Sequence, residues 1–333
     1  MAQTINVFKL WDFAHCRVVE SLAMAGDSNE VLLADRRDSL VLIGADGALI
    51  NGDPVEFSPV AADISADGQG IFALTFNGYV VRLDRNGAIL WKTWLDRDAQ
   101  TIAAKTNGKA VVMASHKGRF HVVKASGEKV REVHTAGPVA FAKYSGDGRT
   151  LFMASSMGWI GVYDKMANPV GEYDISNLVM DLDVNFSGSK IFTAAGEAGL
   201  NIIDVKDGHL VSMDPGFGVV KLGVNAPGNL IAAAGLNGEL ALISKEGDVL
   251  WSEKTPHPWA LCRMNSKGDR FVAVSNKGLA ICYSTGENKA QAEEPSPPPP
   301  PQEPKPKPEP KTQSSGGNRD NGEAKSDFDF IEI

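Results

Sequence analysis

The sequence predicts an all-β protein, a seven-bladed β-propeller, because it combines a repeat near 40 residues, aligned turn glycines and continuous apolar strands. The repeat is clearest in residues 71–91, where apolar runs are separated by Asn77-Gly78 and Asn86-Gly87. Asn-Gly between apolar runs favours a hairpin with a type I′ turn, whose two central residues need positive φ. Four short strands per unit at this period are typical of a propeller blade.

Turn residues recur in register through seven units. The first turns are expected at Gly26, Gly68, Gly108, Gly148, Gly188, Gly228 and Gly268, and the second turns at Asp38, Gly78, Gly118, Gly158, Gly199, Gly238 and Gly278. The third turns are expected at Gly47, Gly87, Gly127, Asn168, Gly208, Gly247 and Gly286. Glycine and asparagine suit such positions because they tolerate the left-handed region of the backbone.

The second strand of each unit is almost wholly apolar. These strands are expected at 31–34, 71–74, 111–114, 151–154, 191–194, 231–234 and 271–274. Strands that are covered on both faces read as continuous apolar runs. This pattern is expected for a blade that lies between two neighbouring blades.

The two ends of the repeat array predict how the ring closes. After Gly286 the chain reads ENKAQAEEPSPPPPP, which cannot supply a fourth strand to the last blade. Residues 4–13 precede the first strand of blade one, expected at about 18–23, and have no partners of their own. We therefore expect 4–13 to be the outer strand of blade seven, because this pairing covers an otherwise open edge.

Residues 4–287 resemble the WD40-like and quinoprotein-like propeller families. The resemblance rests on the repeat pattern and on residues 86–91 and 246–251, which look like the glycine-to-tryptophan ending of quinoprotein-type repeats. Trp11-Asp12 matches the dipeptide that names WD40 repeats, but we interpret it as a coincidence because it ends an outer strand. The resemblance implies a propeller fold, which hosts many unrelated activities.

Composition and charge exclude several functions. The net charge of −8 argues against nucleic-acid binding, which needs a concentrated basic surface. No apolar window is long enough to span a membrane, and the first residues lack the pattern of a secretory signal. Three cysteines without CxxC spacing are expected to be free thiols in a reducing compartment. We therefore expect a monomeric cytoplasmic protein that binds neither nucleic acid nor membranes.

No motif in the sequence points to catalysis, so we expect no catalytic residue, cofactor or metal. The six histidines show no HxH or HxxxH spacing and could form a metal site only by converging in space. No nucleophile elbow, phosphate-binding loop or dinucleotide fingerprint precedes a helix.

Charged residues are predicted to line the central channel. Counting five residues back from the first-turn glycines gives a column that contains Asp63, Lys143, Asp183 and Arg263, and two residues earlier lie Asp181 and Lys221. Alternation with period two turns this column toward the channel. The ring could hold a small charged ligand, or its charges could simply pair across a water-filled channel.

Two connections between blades are candidate recognition loops. Residues 214–218 contain Phe217, and residues 255–259 end at Trp259. Aromatic residues on such loops favour protein interfaces. Trp259, however, begins a strand in a column otherwise filled by valine, so core packing is the alternative for it.

The composition changes abruptly at about residue 288. Residues 288–326 are expected to be a disordered Pro-rich and polar linker after the propeller of residues 1–287, because they cannot bury enough apolar surface to fold. Residues 327–333 then place apolar side chains among acids, and we interpret them as a docking peptide comprising Asp327, Phe328, Asp329, Phe330, Ile331 and Ile333. The alternatives are an incidental solubilising tail and a peptide that folds back onto its own propeller.

The sequence therefore predicts a non-enzymatic scaffold or adaptor that binds other proteins through a propeller face and the terminal peptide. The alternative is a small-ligand sensor or an enzyme that uses the charged channel. A concave pocket with convergent polar groups and a perturbed carboxylate would favour this alternative.

Overall fold

A computed structural model of the protein describes residues 5–15, 17–35 and 37–286. Within these ranges, 28 strands form seven antiparallel four-stranded sheets, which are the blades of a propeller. Each innermost strand packs beside the innermost strand of the next blade, and blade seven returns to blade one. The seven-bladed prediction is confirmed. No helix that could cross a membrane is present in the described part of the chain.

The strands are numbered in chain order. Blade one contains β2 (Ser21–Met24), β3 (Val31–Asp35), β4 (Ser39–Ile43) and β5 (Leu49–Asn51); blade two contains β6 (Pro59–Ile64), β7 (Ile71–Thr75), β8 (Tyr79–Leu83) and β9 (Ile89–Trp94). Blade three contains β10 (Ala99–Ala104), β11 (Ala110–Ser115), β12 (Arg119–Lys124) and β13 (Lys129–His134); blade four contains β14 (Phe141–Tyr144), β15 (Thr150–Ala154), β16 (Trp159–Asp164) and β17 (Pro169–Asp174).

The remaining blades follow the same order from the channel outward. Blade five contains β18 (Asp181–Val184), β19 (Lys190–Ala194), β20 (Leu200–Asp204) and β21 (Leu210–Met213); blade six contains β22 (Val219–Val224), β23 (Leu230–Gly235), β24 (Glu239–Ser244) and β25 (Val249–Lys254). Blade seven contains β26 (Trp259–Met264), β27 (Arg270–Ser275), β28 (Leu279–Ser284) and, from the other end of the chain, β1 (Phe8–Ala14).

Strand exchange closes the ring, as predicted. β1 pairs antiparallel with β28, from Phe8 opposite Ser284 to Ala14 opposite Leu279. The strand begins at Phe8 rather than at residue 4, and the described residues before it are not in a strand, although the Ile5 amide contacts the Leu250 carbonyl of blade six at 3.5 Å. The first strand of blade one also begins later than expected, at Ser21.

The hairpin turns differ from the predicted type I′. Gly78 and Gly87 have positive φ, but Asn77 and Asn86 do not. The β7–β8 loop has three residues, and only the last of them is left-handed. Three-residue loops of this kind are the next most common hairpin connection after two-residue loops. In blade one the left-handed residue of the second turn is Asp38, with φ of 82°, which confirms its assignment to the second-turn column.

Three of the predicted turn residues, Gly26, Asn168 and Gly286, do not have positive φ. In blade one the left-handed residue is Asn29, because Gly26 lies at the level of Ala66 rather than at that of Gly68 in a turn of the same length. Gly26 instead allows a close approach by blade seven, since a Cβ there would lie 2.2 Å from the Ser266 hydroxyl oxygen. In blade four the left-handed residue is Ala167 rather than Asn168. Asn168 uses its side-chain amide to donate to the Asp164 carboxylate at 2.9 Å.

The position of Gly26 also gave a wrong channel register for blade one. Ala23 lies opposite Leu32, at the level where Asp63 lies opposite Phe72 in blade two. Counting five residues back from Gly26 gives Ser21, which lies two residues earlier in its strand than this level.

The core lies between blades rather than within them. The described residues form seven buried clusters, and each one joins two adjacent blades. The second strands supply large side chains that are fully buried, including Phe72, Phe152, Phe192 and Phe271. This explains why those strands are apolar along their whole length.

In several blades an outer-strand side chain donates a hydrogen bond to the third turn of the next blade. The indole N–H of Trp11 donates to the Ala45 carbonyl at 3.2 Å, and that of Trp91 donates to the Ala125 carbonyl at 2.7 Å. The Tyr173 hydroxyl donates to the Val205 carbonyl at 2.5 Å in the same way.

Candidate functional site

The propeller has two faces that differ in their turns. The first-turn face carries the first and third turns, and its channel mouth is formed by Gly26, Ala66, Thr106, Gly146, Phe186, Ala226 and Ser266. The second-turn face carries the connections between blades and the second turns at 37–38, 76–78, 116–118, 156–158, 197–199, 236–238 and 276–278. Each innermost strand runs from the second-turn face to the first-turn face.

Hydrogen bonds join the seven first turns into a closed ring around the mouth. Six joints are backbone bonds of 2.8–3.1 Å, donated by Asp27, Ala66, Asp147, Phe186, Ala226 and Ser266 to the next turn in the ring. The remaining joint is donated by the Thr106 hydroxyl to the Ser145 carbonyl at 3.3 Å. The mouth is therefore a rigid opening.

A cavity of about 150 Å³, which we call the first-turn chamber, lies behind this mouth. Its lining contains Asp63, Lys143, Asp183 and Arg263, so the structure brings the four predicted channel residues together. A smaller cavity of about 90 Å³ lies toward the second-turn face and reaches Asp181.

Arg263 is paired across an intervening blade. Its Nη1 lies 2.7 Å from Oδ2 of Asp181 in blade five, and it also donates to the Leu222 carbonyl at 3.0 Å. The Arg263 side chain extends past Gly223 of blade six. A Cβ at Gly223 would lie 2.4 Å from the Met264 amide nitrogen, so the two strands approach closely only because this residue is glycine. Burial alone would raise the pKa of Asp181, but the charges of Arg263 and Lys221 and two hydrogen bonds outweigh it and lower the pKa.

Asp183 accepts hydrogen bonds from the backbone of the neighbouring blade. It accepts from the Val224 amide at 3.0 Å and from the adjacent Val184 amide at 3.0 Å. Lys143 lies 3.9 Å from its Oδ1, an ion pair without a hydrogen bond.

Asp63 has similar backbone contacts but no ion pair among the described residues. It accepts from the Ala104 amide at 2.8 Å and from the Ile64 amide at 2.9 Å. Burial raises the pKa of Asp63 and outweighs the opposing effects of Lys143, the two amides and Arg263. The first-turn chamber therefore contains a carboxyl group whose ionised form is unfavourable.

The two loop candidates have different surroundings. Phe217 is partly buried against the cluster between blades five and six. Trp259 is only 2% exposed and is the first residue of β26, so it lies in the core, the alternative given for it, and not on an exposed loop. Its indole N–H has no partner among the described residues.

The second-turn face exposes apolar side chains that sequence reasoning missed. Phe76, Met157, Leu178 and Leu236 lie in its turns and connections, and each is more than half exposed. A groove of about 840 Å³ passes Phe76, Val60 and Ala140, with Arg97 and His116 also in its lining. Among the described residues, Arg97 has no ion-pair partner. The sequence could have indicated them, because an apolar residue within a tight turn has no strand to bury it.

Other predicted features lie outside the described residues. The linker 288–326 and the terminal residues Asp327, Phe328, Asp329, Phe330, Ile331 and Ile333 are all in this part of the chain. Among the described residues, no group of three or more His, Cys, Asp or Glu side chains is arranged to hold a metal ion. The chain matches no protein-family model, and no curated protein is significantly similar to it in sequence.

Proposed function

We propose that this protein is a non-enzymatic, cytoplasmic interaction scaffold whose second-turn face binds other proteins. The observation that carries the proposal is the set of four exposed apolar side chains on that face, Phe76, Met157, Leu178 and Leu236. Exposed apolar residues on one surface favour protein recognition, because an interface removes them from water.

The groove beside Phe76 is the proposed centre of this platform. It combines an aromatic side chain with Arg97, and these two residue types dominate the binding energy of many interfaces. The open groove suits a protein segment better than a small molecule, because its apolar and charged residues are spread along an exposed surface. Its lining also contains Glu20 and Asp98, so a partner with apolar residues and charges of both signs would complement it.

The segment 327–333 is proposed as a second docking element. The Pro-rich linker before it would hold the peptide near any partner bound to the propeller and raise its effective concentration there. The acids would direct it to a basic rim, while Phe328 and Phe330 would supply apolar contact.

We also place the chain with quinoprotein-like propellers rather than with true WD40 repeats. The support is residues 86–91, whose glycine-to-tryptophan ending brings the Trp91 indole to the third turn of the next blade. This placement concerns the repeat type and implies no quinone chemistry.

The test compares two quadruple variants in partner capture. The platform variant changes Phe76, Met157, Leu178 and Leu236 to Ser, and the control changes the exposed outer-strand residues Leu49, Leu90, Val170 and Val249 to Ser. The scaffold proposal expects the platform variant alone to lose partners that the full chain retains. Equal capture by both variants would contradict it.

The terminal peptide is tested separately. Changing Phe328, Phe330 and Ile331 to Ala should reduce capture without changing the melting temperature. Unchanged capture by this variant would show that the segment is not a docking element.

One observation favours the ligand-binding alternative. The first-turn chamber combines convergent charged groups with Asp63, whose pKa is raised, and this combination is typical of ligand sites.

A further inference from the structure

We propose that the first-turn chamber binds a small organic monocation, an alkylammonium ion, between Asp63 and Asp183 and beneath the Phe186 ring. The proposal names a ligand class for the channel and does not depend on the scaffold function. It rests on the charges, the unused hydrogen-bonding capacity and the aromatic lining of this cavity.

Asp63 is the one carboxylate of the chamber that has no ion pair among the described residues. Asp63 and Asp183 contribute two carboxylates, and Lys143 contributes one ammonium group. Arg263 also lines the cavity, but its guanidinium is already paired with Asp181. Lys221 lies nearer the second-turn face, where its ammonium donates to the Met180 carbonyl at 3.2 Å. The ionised form of a buried carboxyl group without an ion pair is unfavourable, and a bound cation would supply the missing counter-charge.

The two carboxylates also have unused acceptor capacity. Each accepts two backbone hydrogen bonds, whereas an ionised carboxylate has about four acceptor sites. Lys143 is too far from Asp183 to fill these sites with a hydrogen bond. An ammonium ligand carries up to three N–H donors that could do so.

Aromatic side chains border the same space. Six of the seven mouth residues are small, and the exception is Phe186, which is half-exposed. Its ring lies over Gly146, where a Cβ would be 2.4 Å from the Phe186 Cδ2. Tyr144 also lines the chamber, and its hydroxyl has no hydrogen bond to another described residue. Aromatic faces attract organic cations, so the Phe186 ring favours the same ligand charge as the carboxylates.

The size and electrostatics of the chamber narrow the ligand further. A volume of about 150 Å³ is comparable to that of a cavity that holds benzene, so a chain of about four carbons would fit. An anion would face two carboxylates while the nearby guanidinium is already occupied. We therefore expect selection for positive charge at this size.

The experiment titrates the full chain with n-butylammonium, n-butanol and n-butyrate by isothermal calorimetry. These probes match in length and differ in charge. We expect measurable binding of n-butylammonium and at least about tenfold weaker binding of the other two, because charged hydrogen bonds dominate the site. Preferential binding of n-butyrate or n-butanol, or no binding of n-butylammonium, would overturn the proposal.

Two variants give effects of opposite sign. Lys143→Met removes the internal cation and should tighten n-butylammonium binding severalfold. Asp183→Asn removes one carboxylate charge and should weaken it by about tenfold or more. Loss of binding in Lys143→Met would contradict the assigned charge preference.

A third variant covers the possibility that Asp183→Asn fails to fold. Phe186→Ala alters only the mouth and should weaken n-butylammonium binding while leaving the melting temperature nearly unchanged. Unchanged affinity would remove the aromatic contact from the proposal. Partner capture through the second-turn face should be the same in all three variants, which separates this site from the scaffold function.

Discussion

The indole N–H groups of Trp11 and Trp91 show how single outer-strand residues hold neighbouring blades together. Each tryptophan lies 36 residues before the third-turn glycine of the next blade, Gly47 or Gly127. The glycine is required because a Cβ at Gly47 would lie 2.6 Å from the Trp11 ring. The equal spacing was available in the sequence, but the contact across the blade interface could not be derived from one blade alone.

The contribution of Trp91 can be measured against a neighbour in the same strand. Trp91→Phe removes the bond to the Ala125 carbonyl, which still accepts from the Arg82 guanidinium at 2.8 Å. We expect the free energy of unfolding to fall by about 0.5–1.5 kcal/mol in urea titrations, the net contribution of one hydrogen bond. Trp94 is exposed, so Trp94→Phe should change it by less than about 0.5 kcal/mol. Equal effects of the two substitutions would contradict the assigned contact.

His121 is a buried histidine with incomplete hydrogen bonding. Its side chain is 2% exposed, and neither ring nitrogen has a hydrogen-bond partner among the described residues. Burial, together with the charge of Lys129, lowers the pKa of His121, although Glu132 lies 3.5 Å from its Nδ1. The folded protein therefore favours the neutral imidazole.

The lowered pKa of His121 predicts a loss of stability in acid. An unfolded-state pKa of about 6.5 means that the unfolded chain binds the proton first as the pH falls. The His121 contribution is thus constant above about pH 7 and decreases below about pH 6.5, down to the folded-state pKa. His121→Met should weaken the acid sensitivity of the free energy of unfolding, measured in urea at several pH values. Exposed His134, changed to Met, should leave this dependence as it is in the parent protein.

At the scale of elements, the strands were predictable and the residues that shape the turns were less so. All seven second strands fall where the apolar runs placed them, because burial on both faces leaves a direct mark on composition. Asn168 and Gly26 were misassigned because side-chain bonds and neighbouring blades decide which residue is left-handed. Aligning the turn glycines of the repeats cannot show which residue of a turn has positive φ.

Two glycine substitutions should therefore have opposite effects. Asp38 has positive φ and an exposed side chain, so Asp38→Gly should relieve backbone strain and stabilise the fold by up to about 1 kcal/mol. Asn168→Gly relieves no such strain and removes the bond to Asp164, so it should destabilise by about 0.5–1 kcal/mol. Urea denaturation measures both. Stabilisation by Asn168→Gly would restore the assignment made from the glycine column.

At the scale of the whole molecule, the channel charges follow from strand alternation, but their pairing does not. The period of two placed Asp63, Lys143, Asp183 and Arg263 on one side of their strands. The bond between Arg263 and Asp181 depends on the close approach of blades six and seven at Gly223, and a single blade does not reveal that distance. The exposed platform of the second-turn face was missed for a related reason, since it arises only when turns from different blades share one surface.

Ring closure predicts the largest single effect on the fold. Deleting residues 1–14 removes β1, leaves β28 as an unpaired edge and takes Trp11 out of the core between blades seven and one. It also removes the indole bond from Trp11 to the Ala45 carbonyl. We expect loss of cooperative thermal unfolding or aggregation, because the exposed edge can pair with other chains. Calorimetry and light scattering would detect either outcome.

Two further proteins separate closure from a general effect of shortening the chain. Truncation after Asn288 removes more residues but leaves every described blade complete, so it should melt like the parent protein. A circular permutant that carries residues 1–14 after Gly286 through a short turn should supply β1 from the same side of blade seven and restore cooperative unfolding. The strand, rather than its position in the chain, is what the ring requires. If the protein lacking residues 1–14 melted as the parent does, β1 would contribute little to closure, and the interblade clusters would have to hold the ring without it.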